Sequence, residues 1–122
     1  MQHADPILIL LVDDDNDALE AMSESLEGLG YLTLRAQNGQ IALDLLRTIP
    51  KHPTLIILDM AMPVLDGRGF LERRCHDATL QKIPVVVVSG SAIPATPLEN
   101  VHAYLRKPLP IDRLMSIIES IP

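Results

Sequence analysis

Residues Ile7-Leu8-Ile9-Leu10-Leu11-Val12 are apolar at every position and run directly into Asp13-Asp14-Asp15. A strand with one wetted face alternates apolar and polar side chains, so an unbroken run points to burial on both faces, as in a parallel sheet covered by helices. Two further runs repeat the pattern: Leu55-Ile56-Ile57-Leu58 ends at Asp59, and Val85-Val86-Val87-Val88 ends at Ser89. Each of these strands delivers a polar group at its carboxyl end.

Around these runs the period changes to that of a helix. Leu19, Met22, Leu26 and Leu29 recur at steps of three and four, with Asp15 or Asn16 as the N-cap and Gly30 as the stop. Tyr31 to Ala36 reads as a more polar edge strand. Asn38-Gly39 then turns into a helix with the stripe Ala42, Leu45, Leu46 and Ile49, closed by Pro50 and Pro53. Asp66-Gly67 opens a third helix through Phe70 and Leu71, and Pro84 stands where a strand can begin without an N–H. Ala103 to Arg106 is a fifth strand. A last helix follows, with Pro110 in its first turn and the stripe Ile111, Leu114, Met115, Ile118 and Ile121. The fourth helix falls on Ser91 to Asn100, where Pro94 and Pro97 make it short, displaced or missing. Strand-helix units in this order predict an α/β fold, a doubly wound five-stranded parallel sheet with right-handed crossovers and ligands beyond the carboxyl ends of the strands.

Composition narrows the function. The chain has 122 residues and a formal charge of −6 with no cluster of Lys and Arg, which argues against nucleic acid or an anionic membrane as partner. At 48% hydrophobic residues it has the material for one domain core, yet it has only two tyrosines, one phenylalanine and no tryptophan, so aliphatic side chains must fill that core. A single cysteine, Cys75, forms no internal disulfide, the longest apolar run is too short to span a membrane, and the first residues lack a basic flank; a cytoplasmic setting is expected.

The strand ends share one rim of such a sheet. Asp13, Asp14, Asp59, Ser89 and Lys107 would converge there, and crowded carboxylates repel unless a cation sits among them. The candidate ligands are hard oxygens without His or Cys beside them, which selects Mg2+, with Mn2+ as the second choice, over zinc or copper. Such a cation can neutralise a phosphoryl group during transfer to a carboxylate.

The ordered set Ile9-Leu10-Leu11-Val12-Asp13-Asp14, Asp59-Met60-Ala61-Met62-Pro63-Val64-Leu65-Asp66-Gly67, Val88-Ser89-Gly90 and Tyr104-Leu105-Arg106-Lys107-Pro108 resembles the receiver domains of two-component response regulators, from about Ile7 to the end. The resemblance implies a flavodoxin-like strand order 2-1-3-4-5 with helices on both faces, and one receiver over residues 1–122, its core about 6–121, with no output domain. It implies that Asp59 accepts a phosphoryl group from a histidine kinase or histidine phosphotransfer protein. It also implies that Asp14 and Asp59 bind Mg2+ directly, Asp13 mainly through water, and Ala61 through its backbone carbonyl. Ser89 and Lys107 would hold phosphoryl oxygens, Tyr104 would report the switch, and Lys107-Pro108 would be cis. Asn16, Asp17 and Glu20 would lie near the donor. Such a domain catalyses only its own modification and turns nothing over.

Other readings stay open at this level. Asp13 to Asp15 are compatible with helix caps alone, a role kept for Asp15, and Asp66-Gly67 reads as cap and turn. The four histidines show no ligand spacing and none is proposed as a phosphodonor. An aspartyl-phosphate phosphohydrolase of the haloacid dehalogenase kind would need an acid where Ala61 stands, and a docking module that is never phosphorylated would not need the complete polar set. The interval from Ser89 to Lys107 is about one helical turn shorter than receivers usually have, which leaves dimerisation and the output face undecided. Alanine at position 61 cannot orient a hydrolytic water, although Ser91 offers a second polar side chain.

Overall fold

The computed structural model describes residues 6–62, 64–90 and 101–121. Five parallel strands, β1 (Leu8–Val12), β2 (Leu32–Ala36), β3 (Leu55–Asp59), β4 (Val85–Ser89) and β5 (Ala103–Arg106), form one sheet in the order β2-β1-β3-β4-β5. The chain carries helices α1 (Asn16–Glu27), α2 (Gly39–Thr48), α3 (Gly67–Cys75) and α4 (Ile111–Ser120), with a 3-10 turn at Leu80–Lys82. The proline-bearing helix expected over 91–100 lies outside the described residues, as does Ser91.

Strand alternation sorts the core into two layers. Leu10, Val12, Ile56, Leu58, Val85 and Val87 pack with Ala42, Leu43, Leu46, Phe70 and Leu71 of α2 and α3. The intervening residues Ile9, Leu11, Leu55, Ile57, Val86 and Val88 pack with Leu19, Leu26, Leu114 and Ile118 of α1 and α4. Burial on both faces is why the three central strands carry no polar residue before their last position.

The helix ends follow local chemistry. Asp15 is the N-cap of α1, its carboxylate accepting from the Asp17 and Ala18 N–H groups, and Asn38 and Asp66 cap α2 and α3 in the same manner. Gly30 has φ 96; its N–H donates to the Glu27 carbonyl and the Tyr31 N–H to the Leu26 carbonyl, the paired bonds of a Schellman stop. Leu29 therefore lies beyond the regular helix and is exposed, while Ser23 is buried in its place on the inner face. On α2 Leu43 is wholly buried together with Ala42 and Leu46, whereas Leu45 is only partly covered. Pro110 is the N-cap of α4 rather than a residue of its first turn.

One buried charge was not legible in the sequence. Arg74 of α3 is almost wholly covered and donates from Nε and Nη2 to the Ile83 carbonyl and from Nη2 to the Gln81 carbonyl. It ties the end of α3 to the turn that leads into β4, and burial lowers its pKa.

Candidate functional site

Alternation along the strands also decides which polar side chains meet. Asp13 continues the series Ile9, Leu11; Asp59 continues Leu55, Ile57; Lys107 continues Ala103, Leu105. All three series face α1 and α4, so the three polar groups emerge on the same side of the sheet at the carboxyl ends of β1, β3 and β5. Lys107 Nζ donates to Asp13 Oδ2 at 2.9 Å and stands 3.7 Å from Asp59 Oδ1. The expected cis peptide is present at Lys107-Pro108.

Each carboxylate has a distinct environment. Asp13 is almost wholly buried, with one oxygen on Lys107 and the other accepting the Asp15 N–H at 3.0 Å. Asp14 is exposed, and Asp59 is buried with its Oδ1 3.5 Å from the Ala61 N–H. Carboxylate oxygens of Asp13, Asp14 and Asp59 lie within 4.8 Å of one another. Burial, and next the Asp13 charge, raise the Asp59 pKa, and Lys107 only partly offsets them. Burial alone would lower the Lys107 pKa, but the Asp13 hydrogen bond, the Asp13 and Asp59 charges and the Asp15 charge raise it on balance. Three carboxylates thus face one ammonium group, and an oxygen-only donor set with surplus negative charge suits a hard dication.

Ser89 and Tyr104 sit on the other alternation. Val88 is the register partner of Asp59, which places Ser89 one position further along the neighbouring strand, its carbonyl accepting from the Lys107 N–H at 2.8 Å. Tyr104 pairs with Val87 and packs partly buried on the α2–α3 layer. The structure therefore gathers Asp13, Asp14, Asp59 and Lys107 closely, with Ser89 at the end of the adjoining strand.

The sequence profile of the family described as response regulator receiver domain matches residues 9–119. The chain is a response regulator receiver domain. The receiver is 29% identical over 116 residues to the polar-differentiation response regulator DivK of Brucella ovis, covering 92% of this chain and 93% of that one. It is 33% identical to the response regulator Rre1 of Synechocystis, covering 97% of this chain and 52% of that one, so it spans about half of that relative. A putative response regulator from Chloroflexus aurantiacus superposes with a TM-score of 0.81 at 27% identity, over 94% of this chain and 99% of that chain. The receiver domain of a signal transduction histidine kinase from Syntrophus aciditrophicus gives 0.79 at 29% identity, over 93% and 88%. No helix among the described residues is long and apolar enough to cross a membrane.

Two features of this receiver carried no weight in the sequence reading. Beside the acidic rim, Ala18, Ala21 and Met22 of α1 face Val88, Lys107, Pro108 and Leu109 across an apolar groove of about 180 Å³. The loop from Asp59 to α3 is walled by glycines. Gly69, a glycine inside the first turn of a helix, was the signal for that second feature.

Proposed function

We propose that the receiver is a phosphoacceptor switch whose acceptor is Asp59. A carboxylate oxygen of Asp59 attacks the phosphorus of a phosphohistidine, forming the acyl phosphate P–O bond as the P–N bond breaks, and the released imidazole takes a proton from solvent. Asp14 and Asp59 would hold Mg2+ directly, with Asp13 through water and Ala61 through its carbonyl. Mn2+ fits the same oxygens. When bound, the ion supplies positive charge to offset the phosphoryl oxygens.

The observation that carries this reading is the triangle of Lys107, Asp13 and Asp59. A buried carboxylate ending a strand is costly without a partner. Asp59 lies beyond a close hydrogen bond from Lys107, whose ammonium is committed to Asp13. The exposed Asp14 leaves the cup open on one side, where a phosphoryl group and its donor can approach. Lys107 is placed to move from Asp13 toward a phosphoryl oxygen on Asp59, with Ser89 as the hydroxyl partner and Tyr104 as the side chain that responds.

The donor surface is α1 with the segment after β5. The apolar groove lined by Ala18, Ala21, Met22 and Leu109 adjoins Lys107, and Asn16, Asp17 and Glu20 are exposed on the same helix. Small side chains there let a helix of a histidine kinase or histidine phosphotransfer protein lie close to the acceptor. The domain modifies itself, turns nothing over and works in the cytoplasm.

Incubation with acetyl phosphate and magnesium, followed by intact-mass measurement and peptide mapping, tests the reading. One added phosphoryl group on Asp59 is expected, absent from Asp59→Asn. An unlabelled wild-type protein, or equal labelling of the variant, would overturn it.

A further inference from the structure

Glycines wall the loop that follows Asp59 on three sides. A β-carbon on Gly39, the first residue of α2, would lie 2.7 Å from the Leu65 carbonyl oxygen. On Gly67, the first residue of α3, it would lie 2.6 Å from Met60 Sδ and 2.9 Å from the Asp59 carbonyl oxygen. On Gly69 it would lie 2.5 Å from Leu65 Cδ1. Two backbone bonds anchor the loop: the Gly67 N–H donates to the Met60 carbonyl at 3.1 Å, and the Gly39 N–H to the Leu65 carbonyl at 3.0 Å. Ala61 lies between those anchors, and Leu65 occupies a slot whose walls belong to two different helices.

This arrangement has a local cost. Glycine inside a helix is destabilising relative to alanine. The cap does not explain Gly69, because its bond to Asp66 Oδ1 uses only the backbone N–H, which alanine also has. Contact with Leu65 does explain it. Val64 adds a second cost: it takes φ 68, a left-handed conformation that β-branched residues rarely adopt, and it is 82% exposed, so burial of its own side chain does not compensate. One cost falls on the segment joining Asp59 to α3 and the other on the first turn of α3 against which that segment packs, and strained backbone persists where its surroundings over-determine it.

We propose that Leu65, clamped between Gly39 and Gly69, is a positioning residue that fixes the Ala61 carbonyl for a small hard dication and so sets preference for Mg2+ over Ca2+. The inference rests on the phosphoacceptor reading, in which that carbonyl is a ligand. Mg2+ demands near-ideal octahedral oxygens at about 2.0–2.1 Å, whereas Ca2+ accepts a looser, larger shell, so displacing one oxygen by a few tenths of an ångström penalises Mg2+ selectively.

The test is calorimetric titration of the receiver with magnesium chloride and with calcium chloride, for the wild type, Leu65→Ala, Gly69→Ala and the pair Gly69→Ala with Leu65→Val. Leu65→Ala and Gly69→Ala should each weaken Mg2+ binding about fivefold to tenfold and leave Ca2+ within about twofold. The paired variant removes the Cδ1 atom that a methyl group at position 69 would strike, and should recover most of the Mg2+ preference. A contact serving stability alone would lower Tm in all three variants without moving the ratio of the two affinities. Variants folded by circular dichroism with an unchanged ratio, or a pair that recovers nothing, would overturn the clamp; should Leu65→Ala not fold, the two Gly69 variants decide. Wild type that binds no Mg2+ sinks both this inference and the phosphoacceptor reading. Wild type that binds Mg2+ and labels at Asp59, with a ratio insensitive to the clamp, sinks this inference only.

Discussion

Lys107 and Asp13 stand 94 positions apart in the chain, yet the lysine ammonium meets Oδ2 of the aspartate at 2.9 Å. Asp13 is buried and Lys107 keeps about a third of its side chain in water, so the pair is neither a surface bridge nor a fully desolvated one. It links the carboxyl ends of the first and last strands in sequence, although three strands intervene in chain order, and holds Asp59 beside a positive charge.

Removing the cation should expose what the pair contributes. Lys107→Met leaves Asp13 buried with only the Asp15 N–H as partner among the described residues, and is expected to cost about 2 kcal/mol in urea denaturation, below the roughly 3–5 kcal/mol of a fully buried pair because Lys107 is partly solvated. The Lys107 pKa is raised in the folded protein, so its stabilising contribution is complete below the unfolded lysine pKa and disappears as pH rises through the folded value. Wild-type stability should therefore decline in the alkaline range above about pH 10, and Lys107→Met should lack that decline.

Asp59 has the opposite bearing on stability. Its pKa is raised by burial and by Asp13, so folding favours the protonated acid, and the advantage present below the unfolded carboxylate pKa is lost as pH rises through the folded value. At neutral pH the ionised group destabilises the metal-free fold. Asp59→Asn should melt higher than wild type at pH 7, with the gap closing near pH 3. Saturating magnesium, at about 100 times Kd, should stabilise wild type by about 2.7 kcal/mol and Asp59→Asn far less. Melting curves with and without magnesium or EDTA check both.

In the proposed switch, the lifetime of an acyl phosphate on Asp59 should turn on position 61. Ala61 is exposed two residues after Asp59 and cannot orient a water molecule, so decay should be slow. Ala61→Gln, which adds an amide there, is expected to speed loss of the phosphoryl group about tenfold, equivalent to about 1.4 kcal/mol in barrier. Intact-mass time courses after removal of acetyl phosphate measure it. Equal decay rates would show that position 61 does not reach the attacking water.

Arg74 is expected to matter for the fold and not for the chemistry. Arg74→Met leaves the Ile83 and Gln81 carbonyls without the guanidinium that serves them. A loss of about 1–3 kcal/mol follows, chiefly from leaving the buried Ile83 carbonyl without its donor. Urea denaturation measures that loss, while labelling of Asp59 in the folded fraction should be unchanged.

Much of this receiver is local information. Unbroken apolar runs at Leu55–Leu58 and Val85–Val88 imply strands buried on both faces, because no alternation leaves a side for water. Asp15, Asn38 and Asp66 announce helix starts, since a short acceptor side chain just before a helical period satisfies exposed N–H groups. Even the gathering of Asp13, Asp59 and Lys107 at one rim follows from a side-chain period of two on parallel strands. Other features depend on distances between segments that no local pattern encodes. Leu43 and not Leu45 fills the core under α2, because the rotation of a helix about its axis is set by what it packs against. Arg74 is buried because carbonyls near the start of β4 happen to lie within its reach. The clamp on Leu65 needs two glycines 30 positions apart to stand on either side of one side chain, a juxtaposition made by packing α2 and α3 on the same face of the sheet. Periodicity and caps act within a few residues and are written in the chain, whereas ångström-scale complementarity between distant segments exists only once the sheet has brought them together.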